Sequence, residues 1–244
     1  MAVMTKVENI ESLRKLKPVV YMFGERVTNV VDNPRLRAGI EATAETYKVA
    51  EMPEHRDSMV AISPITGEEV NRFTLPPSSI EDLVARVKNN RMLGGRVGTC
   101  FQRCTGLDCM SALSIETYNI DQKYGTEYNA RFLKFLTYVQ DNDLTCNAGV
   151  TDVKGDRSLS PMKQDDKDMY LRIVERREDG IIVRGAKAHQ TGSLNSHEII
   201  VLPTRAMKPD EKDYAVSFAI PTDSPGLIHI VGRSTLDMRE LEGC

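Results

Sequence analysis

The sequence lacks any long hydrophobic run. Nowhere in its 244 residues is there a stretch approaching the ~20 consecutive apolar residues that a membrane-spanning helix needs. Its first residues, MAVMTKVENIESLRKLK, contain no apolar segment of the kind found in secretory signals. With 41% hydrophobic and 27% charged residues, the composition is typical of a soluble globular chain. We therefore predict no membrane association.

The sequence also lacks a surplus of positive charge. Its 32 Lys and Arg residues stand against 35 Asp and Glu residues, which gives a net charge of −3. Proteins that bind nucleic acid usually carry a basic excess, so we predict no nucleic-acid partner. Five cysteines is an odd number at low density. This argues against a disulfide scaffold and favours a reducing, cytoplasmic location.

Helix-forming patterns dominate the first half of the chain. They predict a helix after Asn33-Pro34, one over PPSSIEDLVARVKNN, one carrying Cys100 and Cys104 to about Tyr118, and one roughly from Asn129 to Gln140. The second of these has capping-box spacing at Ser78 and Glu81. Its apolar residues follow the i, i+3, i+4, i+7 rule of a helix with one apolar face; they are Ile80, Leu83, Val84 and Val87.

Strand patterns dominate after about Asp141. DMYLRIVER and GIIVRGAK flank a turn at 177–180 and predict a hairpin, and ISPITGEEVNRF predicts a smaller hairpin earlier. Three further strands are predicted in HEIIVLPT, YAVSFAIPT and LIHIVGR. The order predicts an α+β fold with a helical domain over residues 1–145 and an antiparallel β domain over 146–244.

One candidate site is the cysteine pair in GTCFQRC. On a helix, residues four apart share a face, so the thiols of Cys100 and Cys104 could bind one soft metal centre. Cys109 falls on the opposite face. Closed zinc and iron–sulfur sites need four ligands, and no second Cys-x-x-Cys motif follows. Two buried cysteines that pack the helix are the alternative explanation.

Two polar loops are further candidates. TDVKGDRS, at residues 151–158, could present backbone amides and cations to phosphate, or could be an interdomain turn held by Asp–Lys and Asp–Arg pairs. HQTGSLNSHE, at residues 189–198, could meet a ligand or a buried network, or could be a solvated connection with two surface histidines. Alternation with its neighbours places His229 on the outer face of a strand, and His55 is predicted at the surface.

Taken together, the motifs resemble one family. YMFGERV, CFQRCTGLD, DQKYGTEYN, TDVKGDRSLSP, LRIVERREDGIIVRGAKAHQTGSLNSHE and KDYAVSFAIP occur in an order and spacing similar to the 4-hydroxyphenylacetate 3-hydroxylase flavoproteins. The second cysteine of CFQRC resembles the 4-hydroxybutyryl-CoA dehydratase branch. The resemblance covers essentially the whole chain.

The resemblance implies an acyl-CoA dehydrogenase-like fold. It has an N-terminal helical domain, a barrel-like middle β domain, and a C-terminal four-helix domain that this chain does not contain. FAD would lie near the two polar loops. The implied flavin-site residues are Thr151, Lys154, Gly155, Asp156, Arg157, His189, Gln190 and Thr191. Cys100 and Cys104 would supply two of four ligands to a [4Fe–4S] cluster.

The resemblance also implies an activity and partners. The full-length enzyme would dehydrate 4-hydroxybutyryl-CoA to crotonyl-CoA through a ketyl radical and isomerise vinylacetyl-CoA, as a homotetramer acting on acyl-CoA. The family's catalytic base and cluster histidine lie beyond residue 244. We therefore expect an N-terminal fragment or a truncated gene product, inactive alone. The alternatives are a flavin-dependent aromatic monooxygenase and a non-catalytic remnant.

Overall fold

The computed structural model of the chain describes residues 3–233. Within that range the α-helices are α1 (Lys6–Lys15), α2 (Arg37–Glu51), α3 (Pro53–Met59), α4 (Ile80–Val97), α5 (Cys104–Tyr124) and α6 (Tyr128–Asp141). None of these described helices has the length and apolar character to cross a membrane. The strands in the same range are β1 (Val19–Met22), β2 (Glu25–Val27), β3 (Val60–Ile62), β4 (Glu69–Asn71), β5 (Cys146–Gly149), β6 (Arg172–Arg177), β7 (Gly180–Arg184), β8 (Glu198–Val201), β9 (Phe218–Pro221) and β10 (Ile228–Val231).

The α+β class is confirmed, with a different strand arrangement from the one expected. The described strands form small sheets of order β10-β1-β2, β3-β4, β5-β8-β9 and β6-β7, and none of these closes into a barrel. β5 and β8 run parallel, with Cys146 opposite Glu198, where antiparallel strands were expected throughout. Parallel neighbours need a long crossover, and the connection containing the β6-β7 hairpin provides it.

Several predicted elements are confirmed. The helix expected roughly from Asn129 to Gln140 is α6, the hairpin around residues 177–180 is β6-β7, and the smaller hairpin is β3-β4. The three later strands are β8, β9 and β10. β10 pairs in parallel with β1, far away in sequence, so the sheet it joins could not be predicted from local pattern.

The main hydrophobic core lies between the helices α2 to α6 and the β5-β8 pair. Its fully buried members include Leu93, Leu107, Val139 and Ile200. Because these side chains come from both sides of residue 145, the two predicted domains share this core, and their boundary stays a prediction. Helix α5 packs closely on β5 at Gly106, where a Cβ would lie 2.2 Å from the carbonyl oxygen of Cys146.

Helix α4 turns its predicted apolar face outward. Ile80 is 75% exposed and Leu83 is 51% exposed, and Val84 and Val87 are exposed as well, whereas Leu93 on the other face is completely buried. Periodicity identifies which residues share a face, but it does not identify the face that neighbouring elements cover. The cap also differs from the expected Ser78 and Glu81 pair. Ser79 is the N-cap, and its Oγ accepts the amide of Asp82 at 3.0 Å.

His229 lies inward, not on the outer face of its strand as predicted. It is 8% exposed, whereas its neighbours Ile228 and Ile230 are 58% and 83% exposed. Nε2 of His229 donates to the carbonyl oxygen of Thr222 at 2.9 Å, and Nδ1 lies 3.4 Å from Oγ of Ser193. Those two contacts satisfy both ring nitrogens, which allows a polar histidine to occupy the buried side of the strand.

Candidate functional site

The loop between α4 and α5 leads from Cys100 to Cys104 and is held in place by two buried residues, Phe101 and Arg103. Gly98, at φ 65°, ends α4 in the left-handed conformation that favours glycine. Phe101 is buried, and its ring meets Phe73 edge-on with centroids 5.3 Å apart. The carbonyl of Phe101 also accepts a hydrogen bond from Oγ1 of Thr43 at 3.0 Å. Residues 101 and 103 are therefore buried, whereas 100 is exposed and 102 and 104 are partly buried.

Arg103 is the second anchor of this loop and is 2% exposed. Its guanidinium lies 3.2 Å from Oδ1 of Asp143, 3.2 Å from Oγ1 of Thr46 and 4.1 Å from the centroid of the Tyr47 ring. Burial raises the pKa of Asp143 to about 6, against the opposing effect of Arg103. A buried charge of this kind is stable only with its partner in place, so the pair fixes the start of α5.

The two cysteines do not lie on one helix. Cys104 is the first residue of α5, whereas Cys100 lies in the preceding loop and is exposed. Gln102, at φ 60°, stands between them and interrupts the helical path from Cys100 to Cys104. Burial raises the pKa of the half-buried Cys104, and the neighbouring Cys100 raises it further. The alternative of two buried helix-packing cysteines is therefore wrong for Cys100.

The other described cysteines lie apart from this pair. Cys109 is buried in the core, on the far side of α5 as predicted, and burial raises its pKa to about 11. Cys146 on β5 is also buried. Within residues 3–233, no group of three or more His, Cys, Asp or Glu side chains is placed to hold a metal. The described part of the chain thus offers two adjacent ligands for a soft metal.

The loop at residues 151–158 turns sharply at Lys154 and Gly155, which have φ values of 79° and 52°. A Cβ on Gly155 would lie 2.4 Å from Oε1 of Gln164 and from Sδ of Met169, so a side chain here would displace both and would also be strained by the positive φ. The Asp156 carboxylate accepts bonds from the amide and hydroxyl of Ser158, both at 2.8 Å. The turn is therefore shaped by the Asp156–Ser158 and Gln164 contacts, with Arg157 exposed at its surface.

The two polar loops are joined at their bases. The amide of Ala188 donates to the carbonyl of Thr151 at 2.7 Å. Nζ of Lys187 lies 2.8 Å from Oδ1 of the buried Asp152 and also donates to the carbonyl of Leu202 at 2.8 Å. Burial lowers the pKa of Lys187, while its bond to Asp152 acts in the opposite direction. The candidate residues of both loops therefore belong to one surface region.

The second polar loop also contacts the cysteine loop. His189, at φ 59°, and Thr191 are exposed. Gln190 donates through Nε2 to the carbonyl of Ala188 at 2.6 Å, while its Oε1 is buried with no partner among residues 3–233. Gly192, at φ 91°, packs so closely that a Cβ there would lie 2.9 Å from Cβ of Gln102. The structure thus brings all three predicted candidate segments together.

Comparison with known proteins identifies the chain's family. The family described as 4-hydroxyphenylacetate 3-hydroxylase N terminal matches residues 5–243. The chain belongs to this family. It is 52% identical, over 98% of its length, to 4-hydroxybutyryl-CoA dehydratase/vinylacetyl-CoA-Δ-isomerase of Clostridium aminobutyricum, of which it covers 49%. It is 30% identical, over 94% of its length, to the oxygenase component of 4-hydroxyphenylacetate 3-monooxygenase of a Geobacillus species, of which it covers 48%.

Solved structures give the same result for this member of the 4-hydroxyphenylacetate 3-hydroxylase family. An oxygen-tolerant archaeal 4-hydroxybutyryl-CoA dehydratase from N. maritimus matches with a TM-score of 0.92 and 47% identity, covering 95% of this chain and 46% of that one. The oxygenase component of 4-hydroxyphenylacetate 3-monooxygenase, complexed with FAD, matches with a TM-score of 0.78 and 24% identity, covering 93% and 46%. The second match shows a shared fold. The chain spans about half the length of the relatives that it matches.

His197 of this hydroxylase-family chain belongs to a buried network, so the alternative of two surface histidines is wrong for this residue. Its Nδ1 accepts the amide of Thr145 at 3.1 Å, and its Nε2 therefore donates to Oγ of Ser12 at 2.8 Å. Oγ1 of Thr145 lies 2.8 Å from the hydroxyl of Tyr47, which links this network to Arg103. Burial lowers the pKa of His197 to about 4, so the ring is neutral.

Sequence reasoning missed the residues that hold this family member's site together. Arg103 is the fourth residue of CFQRC, and Lys187 stands just before the AHQTG segment, yet neither was singled out. Their partners Asp143 and Asp152 lie 40 and 35 residues away, so no local pattern indicates them. The signal that could have indicated Arg103 and Lys187 is a single charged residue inside an otherwise uncharged motif. Such a residue needs a partner of opposite charge if it is buried.

Proposed function

We propose that this chain forms part of an FAD- and [4Fe–4S]-dependent enzyme that dehydrates 4-hydroxybutyryl-CoA to crotonyl-CoA and isomerises vinylacetyl-CoA. The proposed partners are the acyl-CoA substrate and further copies in a homotetramer. The identity to the clostridial dehydratase supports the activity. The observation that carries the proposal is the contact of Gly192 with Gln102, because it joins a pair of adjacent thiols to the loop proposed for the flavin.

The thiol pair fits the first half of an iron–sulfur site. Thiolates are the ligands that such clusters use, and the exposed Cys100 and the half-buried Cys104 flank the anchored segment, with Cys100 acting on the pKa of Cys104. An ionised thiol raises the pKa of a neighbouring thiol through like-charge repulsion, and a bound metal cation offsets that repulsion. The remaining ligands would come from outside residues 3–233, because that range groups no third candidate with the pair.

The two polar loops fit a flavin. Oε1 of Gln190 is a buried acceptor without a partner in the described range, and a flavin ring offers an N–H donor to such an atom. His189 and Thr191 are exposed beside it. In the joined loop, Lys154 and Arg157 would provide positive charge, and the backbone at Gly155 would provide amides, for the phosphates.

The bound groups would supply Lewis-acid and one-electron chemistry, which removing an unactivated β hydrogen requires. The chain's own residues would position them. Arg103 and Phe101 fix the direction of the thiols, the Lys187–Asp152 pair fixes the flavin loops, and Gln102 sets the spacing between the two. Positioning of this accuracy is what rigid, buried anchors contribute to a site.

The first test measures metal binding with Cd²⁺ alone, under anaerobic conditions and in a Cys244→Ser background. We expect one Cd²⁺ per chain with a thiolate-to-metal charge-transfer absorption. Either Cys100→Ser or Cys104→Ser should abolish this absorption, whereas Cys109→Ala, which removes a buried thiol, should preserve it. Equal Cd²⁺ absorption in the wild-type chain and both serine variants would refute the paired ligands.

The second test measures FAD binding by equilibrium dialysis. Gln190→Ala should weaken the binding of FAD, and Gln122→Ala, an exposed glutamine on α5, should leave it unchanged. Anaerobic reconstitution with iron, sulfide and FAD then separates the alternatives. Iron and acid-labile sulfide retained in equal amounts, and lost in Cys100→Ser, support the dehydratase. FAD without iron favours the aromatic monooxygenase, and neither cofactor favours a non-catalytic remnant.

A further inference from the structure

The outward face of α4 is a short apolar patch that ends at a charged residue. Four exposed side chains form it over about two turns of the helix: Ile80, Leu83, Val84 and Val87. At about 100° per residue, Ile80 and Val87 lie within about 20° of each other around the helix axis, with Leu83 and Val84 on either side. The next residue on this line is the exposed Arg91, so the patch stops after Val87. A contiguous exposed apolar patch of this kind is typical of an interaction surface.

Two charged side chains border the patch on one flank. Glu81 and Lys88 are exposed and lie seven residues apart on the same side of α4. Asp82, Arg86 and Arg96 of this helix form ion pairs within the chain, whereas neither Glu81 nor Lys88 does so with any residue between positions 3 and 233. The flank therefore presents one acid and, two turns later, one base to whatever covers the patch.

We propose that this face of α4 binds the same face of a second copy of the chain, with the two helices antiparallel about a two-fold axis. Such a pairing needs a surface that is complementary to itself. The patch meets this condition, because the midpoint of Ile80 and Val87 and the midpoint of Leu83 and Val84 both fall between residues 83 and 84. Ile80 of one copy then meets Val87 of the other, and Leu83 meets Val84.

The charged flank selects the antiparallel arrangement. A two-fold axis across the helices keeps the same flank of both copies together and reverses their direction. Glu81 of each copy therefore meets Lys88 of the other, with an offset of about 3 Å along the axis that a lysine side chain can span. A parallel pairing would place Glu81 against Glu81. A shift of one turn that lengthens the overlap would place Arg91 against Ile80, so both alternatives are disfavoured.

The size of the patch predicts a weak dimer. Standard interfaces bury about 800 Å² per partner, and two turns of one helix supply less. Burial of the apolar side chains drives the association, whereas the Glu81–Lys88 pairs mainly fix its orientation. This interface would be one of those in the proposed homotetramer, and in that respect it rests on the proposed function. The dimer itself needs no cofactor and no substrate.

The test measures the mass of the chain by sedimentation equilibrium, in a Cys244→Ser background, from about 1 µM to about 1 mM, which spans weak affinities. We expect a monomer at the lowest concentration and a dimer at the highest. Val87→Ser should raise the dissociation constant about tenfold, because it removes one patch side chain from each copy. Val7→Ser, the same exchange at an exposed valine of α1, should leave it unchanged. A wild-type monomer at every concentration, or equal effects of the two variants, would overturn the proposal.

Charge reversal tests the orientation of the two helices. Glu81→Lys leaves two bases on the flank of each copy and Lys88→Glu leaves two acids, so each variant alone should dimerise about tenfold more weakly than the wild type. An equimolar mixture should regain the wild-type affinity as a heterodimer, because every acid then meets a base of the other chain. A mixture that associates no better than either variant would refute the antiparallel pairing. A chain that binds FAD and Cd²⁺ but stays monomeric would refute this interface and leave the proposed function standing.

Discussion

Gly106→Ala provides a direct test of how closely α5 packs on β5. A Cβ at this position would lie 2.2 Å from the carbonyl oxygen of Cys146 and 2.8 Å from its Cβ. The nearest atom belongs to backbone, so no side-chain rotation can relieve the contact, and α5 must move away. Overpacking of this kind costs about 1–3 kcal/mol, and a backbone contact belongs at the upper end. Alanine returns about 1 kcal/mol through helix propensity. The expected net loss is about 2 kcal/mol in free energy of unfolding.

The matched control is Gly94→Ala in α4. A Cβ there would meet no atom within 4 Å, so only the propensity gain of about 1 kcal/mol remains. Urea unfolding followed by circular dichroism should therefore shift the midpoint in opposite directions for the two variants. Cys104 lies half a turn before Gly106, so Gly106→Ala should also weaken Cd²⁺ binding. A Gly106→Ala chain as stable as the wild type would refute the packing described for α5 and β5.

Three further predictions concern the buried network and α4. Arg103→Met leaves Asp143 buried without its partner and should cost about 3–5 kcal/mol in urea unfolding; a loss below about 1 kcal/mol would contradict the described ion pair. Burial lowers the pKa of His197 from 6.5 to about 4, so its contribution to stability is complete above about pH 6.5 and is lost as the pH falls toward 4. Thermal unfolding should show this loss as a difference of up to about 3 kcal/mol between wild type and His197→Gln. The comparison with the variant is needed because the pKa of Asp143 is raised to about 6, so its protonation stabilises both proteins over the same pH range. On α4, Leu83→Ser should change stability by less than about 0.5 kcal/mol, whereas Leu93→Ala should cost about 2–5 kcal/mol; equal losses would show that the exposed face is covered.

The fold could be predicted where local chemistry decides it. The β6-β7 hairpin, α6 and the α+β order follow from turn residues and hydrophobic spacing. The pairings of β1 with β10 and of β5 with β8 could not be predicted, because each depends on contacts between distant segments. The orientation of α4 failed for a related reason. A periodic apolar face looks the same in sequence whether or not a neighbour covers it.

The candidate site could be predicted in part. The three polar or cysteine-bearing segments are adjacent in the structure, although the helical geometry expected for Cys100 and Cys104 is wrong. A left-handed residue at Gln102 stands between the two cysteines, where a helix was expected. No sequence rule indicates a positive φ at a glutamine, since only glycine and asparagine adopt it readily. The roles of the flavin-loop residues stay a prediction.

The alternation of residues 100–104 has a consequence for how this chain can change. Phe101 and Arg103 are the buried anchors of the loop, while position 100 is exposed and position 104 is only partly buried. Exchanges at positions 100 and 104 can alter what the loop binds while both anchors stay in place. A histidine or carboxylate placed at position 100 or 104 should therefore be tolerated. Selection, natural or in the laboratory, can thus search new ligand sets there while the fold stays intact.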